Sequence, residues 1–404
     1  MERFKKFCYD VTTKELTLFR TCFNVLTLSF MAKVTQTDIA QALGLSPATV
    51  GLVVGDSKSP LRQRLSKETV RRVQEKAEEM GYLPNRAAQT MRKGRTNLIV
   101  LLNMSGHSEI GGKRSYEIGK RVQEAGFDYQ IVEAYFWPGD GKRIIEQVIA
   151  LRPEGIIATG SIQTTMDFGR IHRARIPMVA VDMEIPGCPH VRHDVRSAVR
   201  ELTLGCLSTG KRHLVQLLRK SPLEQDTWQL RERMKGFTEA LEASGWEPPR
   251  KLRLGEPLRK TAAESAVIVL NERKSTRFEP FEAGTLCAGQ IGTLPDALLC
   301  ANDDYAIGAL TYYQRAGIAV PREVALSGFD NLSYTTQGSI PITTVEQPIA
   351  EVCRAAVEML EAKIRRNDQR YEELIFPCRV IWRASMPNPR QTIVPPLPSN
   401  PPLP

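Results

Sequence analysis

Two short helical patterns joined by a single glycine constrain this chain more than any other stretch. Residues 31–96 read MAKVTQTDIAQALGLSPATVGLVVGDSKSPLRQRLSKETVRRVQEKAEEMGYLPNRAAQTMRKGRT. Thr35-x-x-Asp38 is a helix start, with a side-chain oxygen for free N–H groups and an acid near the positive end of the dipole. Ile39, Ala40, Ala42 and Leu43 follow on one face, and Gly44 supplies the left-handed turn that stops the helix. After Leu45, Ser46 caps a second helix with Pro47 at its first position, and Val50, Val53 and Val54 give it an apolar stripe. A third helix begins at Ser66, carries Val70, Val73, Ala77 and Met80, and ends before Gly81 and Pro84. Residues 85–93 form a smaller amphipathic segment. This pattern fits an ordinary helical hairpin or a helix-turn-helix whose second helix enters a major groove.

Charge favours the second. Residues 31–96 hold twelve Lys/Arg against six Asp/Glu, and residues 1–30 hold five against three. The whole chain of 404 residues carries +10, so the remaining 308 residues are close to neutral. A basic head on a nearly neutral body points to nucleic-acid contact at one end. The eight cysteines include no C-x-x-C pair, so reduced thiols in a cytoplasmic protein are expected rather than zinc fingers or a disulfide scaffold. No run of 18 uncharged apolar residues exists, so no membrane span is expected. Residues 1–30 lack a signal-peptide cleavage pattern, and Met31 is the expected translation start, with 1–30 a non-native extension.

From residue 97 strands and helices alternate. Strands are expected at 98–102, 128–134, 155–159, 177–182, 214–218, 297–301, 324–328 and 375–382. Helices are expected at 116–125, 144–151, 166–174, 195–208, 231–244, 304–316 and 349–365. This is a doubly wound α/β pattern with parallel sheets. Residues 105–115 read as a Gly-rich basic loop, 248–260 as irregular, and no element is assigned from there to 296. Residues 386–404, with eight prolines, read as a disordered tail. The five histidines have no metal-ligand spacing, and no dinucleotide fingerprint, phosphate loop or nucleophile elbow is present, so neither an enzyme nor a cofactor is expected.

Ordered motifs then narrow the reading. VTQTDIAQALGLSPATVGLVV, GYLPNRAAQTMRKGRT, GKRH (210–213), RMKGFTEAL (233–241), PDALLCANDDYAIGAL (295–310), GIAVPREVALSGFDN (317–331) and PITTVEQPIAE (341–351) together resemble the lactose/galactose repressor family of bacterial regulators. The resemblance covers residues 33–385. It implies an all-α helix-turn-helix headpiece (31–84), a hinge helix and linker (85–96), and a periplasmic-binding-protein-like core (97–385). Lobe one would span about 97–191 and 347–374, and lobe two about 192–346 and 375–385. A homodimer, a double-stranded DNA operator and a small-molecule effector, a sugar or derivative, are the implied partners. A repressor is the leading function, and a solute-binding protein without a regulatory role is the alternative.

By position in the family motifs, Ser46, Pro47, Ala48 and Thr49 open the recognition helix, and Thr35, Tyr82 and Asn85 lie against phosphates. Met91, flanked by the basic Arg86 and Arg92, falls where the family presents an apolar wedge to the minor groove. The chain departs from the family at Gly51-Leu52, where Ser-Arg is usual, so direct base readout is sparse and Thr49 and DNA shape carry more weight. The effector contacts implied are Arg233, Asn302 and Asp330, with Asp182 either binding ligand or bracing the lobes. Met91→Gly is expected to weaken binding to the operator far more than binding to random DNA. Equal losses on both, measured by mobility shift, would remove the hinge from operator recognition.

Overall fold

The computed structural model describes residues 34–55, 61–83, 94–104, 108–134, 140–160, 166–220, 228–253, 265–271, 280–366 and 373–386. The chain divides into two units, Met1–Arg95 and Thr96–Pro404. Asn85, Arg86, Met91 and Arg92 lie outside the described residues, as do residues 1–33 and the Pro-rich 387–404.

In the first unit the punctuation read from sequence sets the geometry. Helix α1 (Gln36–Leu43) is closed at its start by a reciprocal capping box: Thr35 N–H donates to Asp38 Oδ2 at 2.7 Å, and Thr35 Oγ1 accepts from Asp38 N–H at 3.3 Å. Gly44 adopts φ 64°, a conformation only glycine takes without strain, and Leu45 N–H returns to Ala40 O at 2.9 Å. Helix α2 (Pro47–Val54) leaves this turn at a bend of 115°. Ser46 Oγ caps it, accepting from Thr49 N–H at 3.1 Å. A 3-10 turn (Arg62–Arg64) leads to helix α3 (Lys67–Glu79), capped by Ser66. Ile39, Ala40, Val50, Val53, Val73 and Ala77 from the three helices make one small core.

The second unit holds two parallel sheets. The first combines β1 (Leu98–Met104), β2 (Asp128–Glu133), β3 (Gly155–Gly160), β4 (Met178–Val181), β5 (His190–Asp194) and β12 (Glu373–Pro377) in the order β12-β5-β4-β3-β1-β2. Side-chain alternation splits β1 between two cores. Ile99 and Leu101 pack with helices α4 (Glu109–Glu124) and α11 (Ile349–Arg366). Val100, Leu102 and Met104 pack with α5 (Gly141–Ala150) and α6 (Gly169–Arg173).

The second sheet runs β10-β9-β6-β8-β7, built from β6 (Leu214–Lys220), β7 (Arg250–Leu252), β8 (Ala266–Asn271), β9 (Ala297–Leu299) and β10 (Ala325–Ser327). Helices α7 (Val195–Ser208) and α8 (Trp228–Ala243) cover one face, and α9 (Pro280–Gln290) and α10 (Asp303–Arg315) the other. A short antiparallel pair, β11 (Thr344–Glu346) with β13 (Arg379–Ile381), completes the fold.

Four sequence expectations change. Helix α4 starts at Glu109 rather than 116, because Ser108 Oγ accepts from Gly111 N–H at 3.0 Å and carries the Gly pair into the first turns. Strand β5 was not legible, since HVRHD has no apolar alternation. It forms because β4 pairs with it on one side and β12 on the other. The irregular stretch 248–260 contains β7, and the unassigned residues after it contain β8 and α9. The single strand expected at 375–382 is two, β12 in the first sheet and β13 beside β11. The first sheet therefore extends to Asp194 and Pro377, slightly past the expected lobe limits.

Asp303, fully buried at the start of α10, ties the second lobe together. Its carboxylate accepts Leu332 N–H at 2.8 Å and Thr344 O–H at 2.6 Å. Burial pushes this carboxyl up to about 7, outweighing those two bonds. Because the folded value lies above the ordinary one, the folded state holds a proton that the unfolded chain has released. Stability therefore falls as pH rises from about 4 through 7. Urea melts are expected to show this fall with a slope approaching about 1.4 kcal/mol per pH unit. Asp303→Asn should flatten it, and an unchanged slope would assign the effect to other groups.

Candidate functional site

At the carboxyl ends of both parallel sheets lies a cavity of about 230 Å³. The first lobe contributes Met104 from the end of β1, Ser108, Ile110, Gly111 and Arg114 from the start of α4, Gly160 from β3 and His193 from β5. From the second come Leu218 and Arg219 of β6, Gln229, Leu230 and Arg233 of α8, and Ala301, Asn302 and Asp330 just beyond β9 and β10. Gln347, on the segment between β11 and α11, lies on the wall as well. Ligands of doubly wound sheets bind at such strand ends.

Beneath the cavity is a buried charge cluster. Asp182 is 3% exposed and adopts φ 54°, a turned backbone just after β4. Its Oδ2 pairs with the Arg114 guanidinium at 2.6 Å. Its Oδ1 accepts the His193 backbone N–H at 3.1 Å and lies 2.5 Å from His193 Nδ1. Burial alone would raise this carboxyl, but His193 and Arg114 outweigh it and take it down to about 2. An ionised Asp182 can only accept, so His193 Nδ1 carries the hydrogen between them. Arg114 also donates to Thr159 Oγ1 at 3.3 Å and to Gln347 Oε1 at 3.2 Å.

The chain of contacts continues into the second lobe. Gln347 Nε2 donates to Asp330 Oδ1 at 2.5 Å, and Gln229 Nε2 donates to the Asp182 carbonyl at 3.3 Å. Asp330, with φ 112°, is pushed up to about 6 by burial, against the pull of Arg233, Gln347 and His193. The Arg233 guanidinium stacks 3.8 Å over the Phe329 ring and donates to the Ala301 carbonyl. Burial lowers its pKa below the usual arginine value. Gln216 holds the Arg233 backbone from below, its Nε2 3.1 Å from the Arg233 carbonyl.

Of the four core residues read from sequence, Arg233, Asn302 and Asp330 line the cavity and Asp182 does not. Asn302 also caps α10, its Oδ1 accepting from Tyr305 N–H at 3.0 Å. Both oxygens of Asp182 are taken by Arg114 and His193, which makes it a brace beneath the wall. Arg114, His193, Gln229 and Gln347 were missed. Arg114 lay in what read as a loop, His193 in a strand with no sequence signal, and the two glutamines carry no motif. Trp228 sits behind His193 with ring centroids 5.9 Å apart, and Arg192 lies over its ring at 5.0 Å. No Phe, Tyr or Trp lines the cavity among the described residues.

In the first unit, Thr35, Ser46, Pro47 and Ala48 are exposed, and Thr49 and Tyr82 are half-buried. Tyr82 OH accepts from Gln36 Nε2 at 3.0 Å, which fixes the end of α3 to the start of α1. Helix α2 carries no charged residue, and Thr49 is its only side chain with hydrogen-bonding groups besides the capping Ser46. Arg62, Arg64, Arg71 and Arg72 follow it in sequence, with Arg71 engaged by Glu68 and Glu75. Among the described residues no cluster of His, Cys, Asp and Glu is placed to hold a metal, and no single helix is long and apolar enough to cross a membrane.

Comparison with known proteins agrees with this architecture. A periplasmic binding protein-like domain model matches residues 206–386. The chain is 26% identical over 361 residues to the HTH-type transcriptional regulator DegA of Bacillus subtilis, covering 87% of this chain and 98% of that protein. Among solved structures it resembles a lac repressor dimer bound to operator and an anti-inducer, with a TM-score of 0.69 at 20% identity over 88% of this chain and 99% of that one. It also resembles the transcriptional regulator CelR in complex with cellobiose, with a TM-score of 0.61 at 20% identity over 87% and 99% of the two chains. Motifs, paired parallel sheets and full-length relatives together support a regulator of the lactose/galactose repressor type.

Proposed function

We propose that this chain is a transcriptional repressor that binds its operator as a homodimer, and that a sugar or sugar derivative held between the lobes gates that binding. The observation that carries the reading is the cavity: strand ends of both lobes wall it, and Arg114, Gln347, Asp330 and Arg233 link its two sides. A ligand there touches groups whose positions change when the lobes rotate, so it favours one arrangement over the other. A preference of about 1–3 kcal/mol is enough to shift operator occupancy. Arg233 and Asn302 supply donors for ligand hydroxyls, and Asp330 and Asn302 supply acceptors. Asp182 holds Arg114 and His193 in place beneath them. The cavity volume lies below the roughly 300–1,000 Å³ of drug-sized pockets, which favours a ligand on the scale of one sugar ring.

On the DNA side, Ser46 to Thr49 enter the major groove, Thr35, Tyr82 and Asn85 set register on phosphates, and Arg86, Met91 and Arg92 engage the minor groove. The exposure of Thr35 and of the α2 start supports the first part. Such a regulator works in the cytoplasm.

Two experiments test the proposal. Genomic fragments selected by the full chain should share a sequence, and log affinity should fall linearly with log salt by about 0.9 per phosphate contacted. Sequence-blind, salt-insensitive binding would leave only the solute-binding alternative. Arg233→Met should retain operator binding yet lose about tenfold or more in effector affinity, as expected when a charged hydrogen-bond donor is removed. Titration with the compound that best stabilises the wild type measures this, and unchanged affinity would move the ligand elsewhere.

A further inference from the structure

His193 is the one histidine the charge cluster positions on the cavity wall, and half of its ring is unspent. The side chain is 2% exposed. Nδ1 is committed to Asp182 at 2.5 Å, while Nε2 is buried and has no hydrogen-bond partner. Leaving a buried ring nitrogen unpaired is unfavourable, so a partner is expected when the site is occupied.

The surroundings define that partner. Asp182 is shared by two basic groups, Arg114 and His193. Arg233 faces Asp330, the one carboxylate on the wall among the described residues, and its Nε is likewise buried without a partner. Asp303, the next carboxylate, is occupied by Leu332 and Thr344. Ser108, Ile110 and Gly111 bring the first turn of the 16-residue helix α4 to the same wall, with the positive end of its dipole. Basic groups and a helix N-terminus thus meet at a cavity with one acid on its wall.

We infer that His193 Nε2 and the α4 N-terminus receive an acidic group of the effector, and that the effector is an anionic sugar: a sugar acid or a sugar phosphate. The inference rests on the cleft being the effector site and specifies the ligand class it takes. Nδ1 stays with Asp182, and Nε2 donates to the ligand anion. Arg233, Asn302 and Asp330 are left to read the hydroxyls. A neutral sugar would instead donate a hydroxyl to Nε2.

The test is a thermal-shift and calorimetric comparison on the full chain. The probes are glucose, gluconate, glucuronate and glucose 6-phosphate, with the matching galactose set. An acid or phosphate is expected to bind about tenfold or more tightly than its neutral parent, and the carboxylate and phosphate arms tell the two sources apart. His193→Gln should remove that preference. Imidazole ¹⁵N NMR of the wild type needs no substitution: the preferred anion should bring Nε2 to its protonated position. Neutral sugars binding as tightly as their acids would overturn the inference while leaving the sugar-gated cleft intact. So would a preference that survives His193→Gln, or an Nε2 that stays unprotonated. Absence of binding by every probe would overturn both.

Discussion

The buried carboxylate of Asp182 is the constraint around which the core site is arranged. A charge taken out of water is tolerated only when paired and hydrogen-bonded, and removing one partner from such a pair is destabilising by about 3–5 kcal/mol. Here the partners are Arg114 from α4 and His193 from β5, so one acid fixes the start of a helix and the side-chain direction of a neighbouring strand. Because Gln229 of α8 reaches the Asp182 carbonyl and Gln347 links Arg114 to Asp330, the same acid also conditions how the lobes meet. The left-handed backbone at Asp182 and Asp330 belongs to this arrangement, since both carboxylates turn inward immediately past a strand end.

The two ends of the function rest on different physics. The headpiece is small, and its geometry comes from local chemistry: a capping box, a glycine at φ 64°, a serine cap and a proline at the first helical position. Its second helix, α2, is apolar and uncharged, with Thr49 its one hydrogen-bonding side chain. The core cavity is the reverse, set by closely coupled charges contributed from segments far apart in the chain.

Headpiece elements were legible because caps and turns act over three or four residues, within the range that sequence spacing records. Strands such as β1 and β3 were legible because burial on both faces demands a continuous apolar run. The failures have a common cause. Two glycines in the first turns of α4 argue locally against a helix at about 1 kcal/mol each, and packing against the sheet overrules them. HVRHD is a strand only because partners exist on both sides of it, and β12 is separated from it by nearly 180 residues of chain. Arg114 and His193, which lie on those two elements, were therefore missed together.

Sequence by itself determined the helix-turn-helix, the doubly wound core, the uneven charge and three cavity residues, Arg233, Asn302 and Asp330, because each is encoded by periodicity, capping or an ordered motif. Only the tertiary structure decided that Asp182 is a brace beneath the cavity, that Trp228 stands behind His193, and that the His193 Nε2 is left without a partner. Those outcomes depend on which side chains from distant segments share one low-dielectric space. The strength and direction of a buried charge interaction are set there, and no local spacing records them.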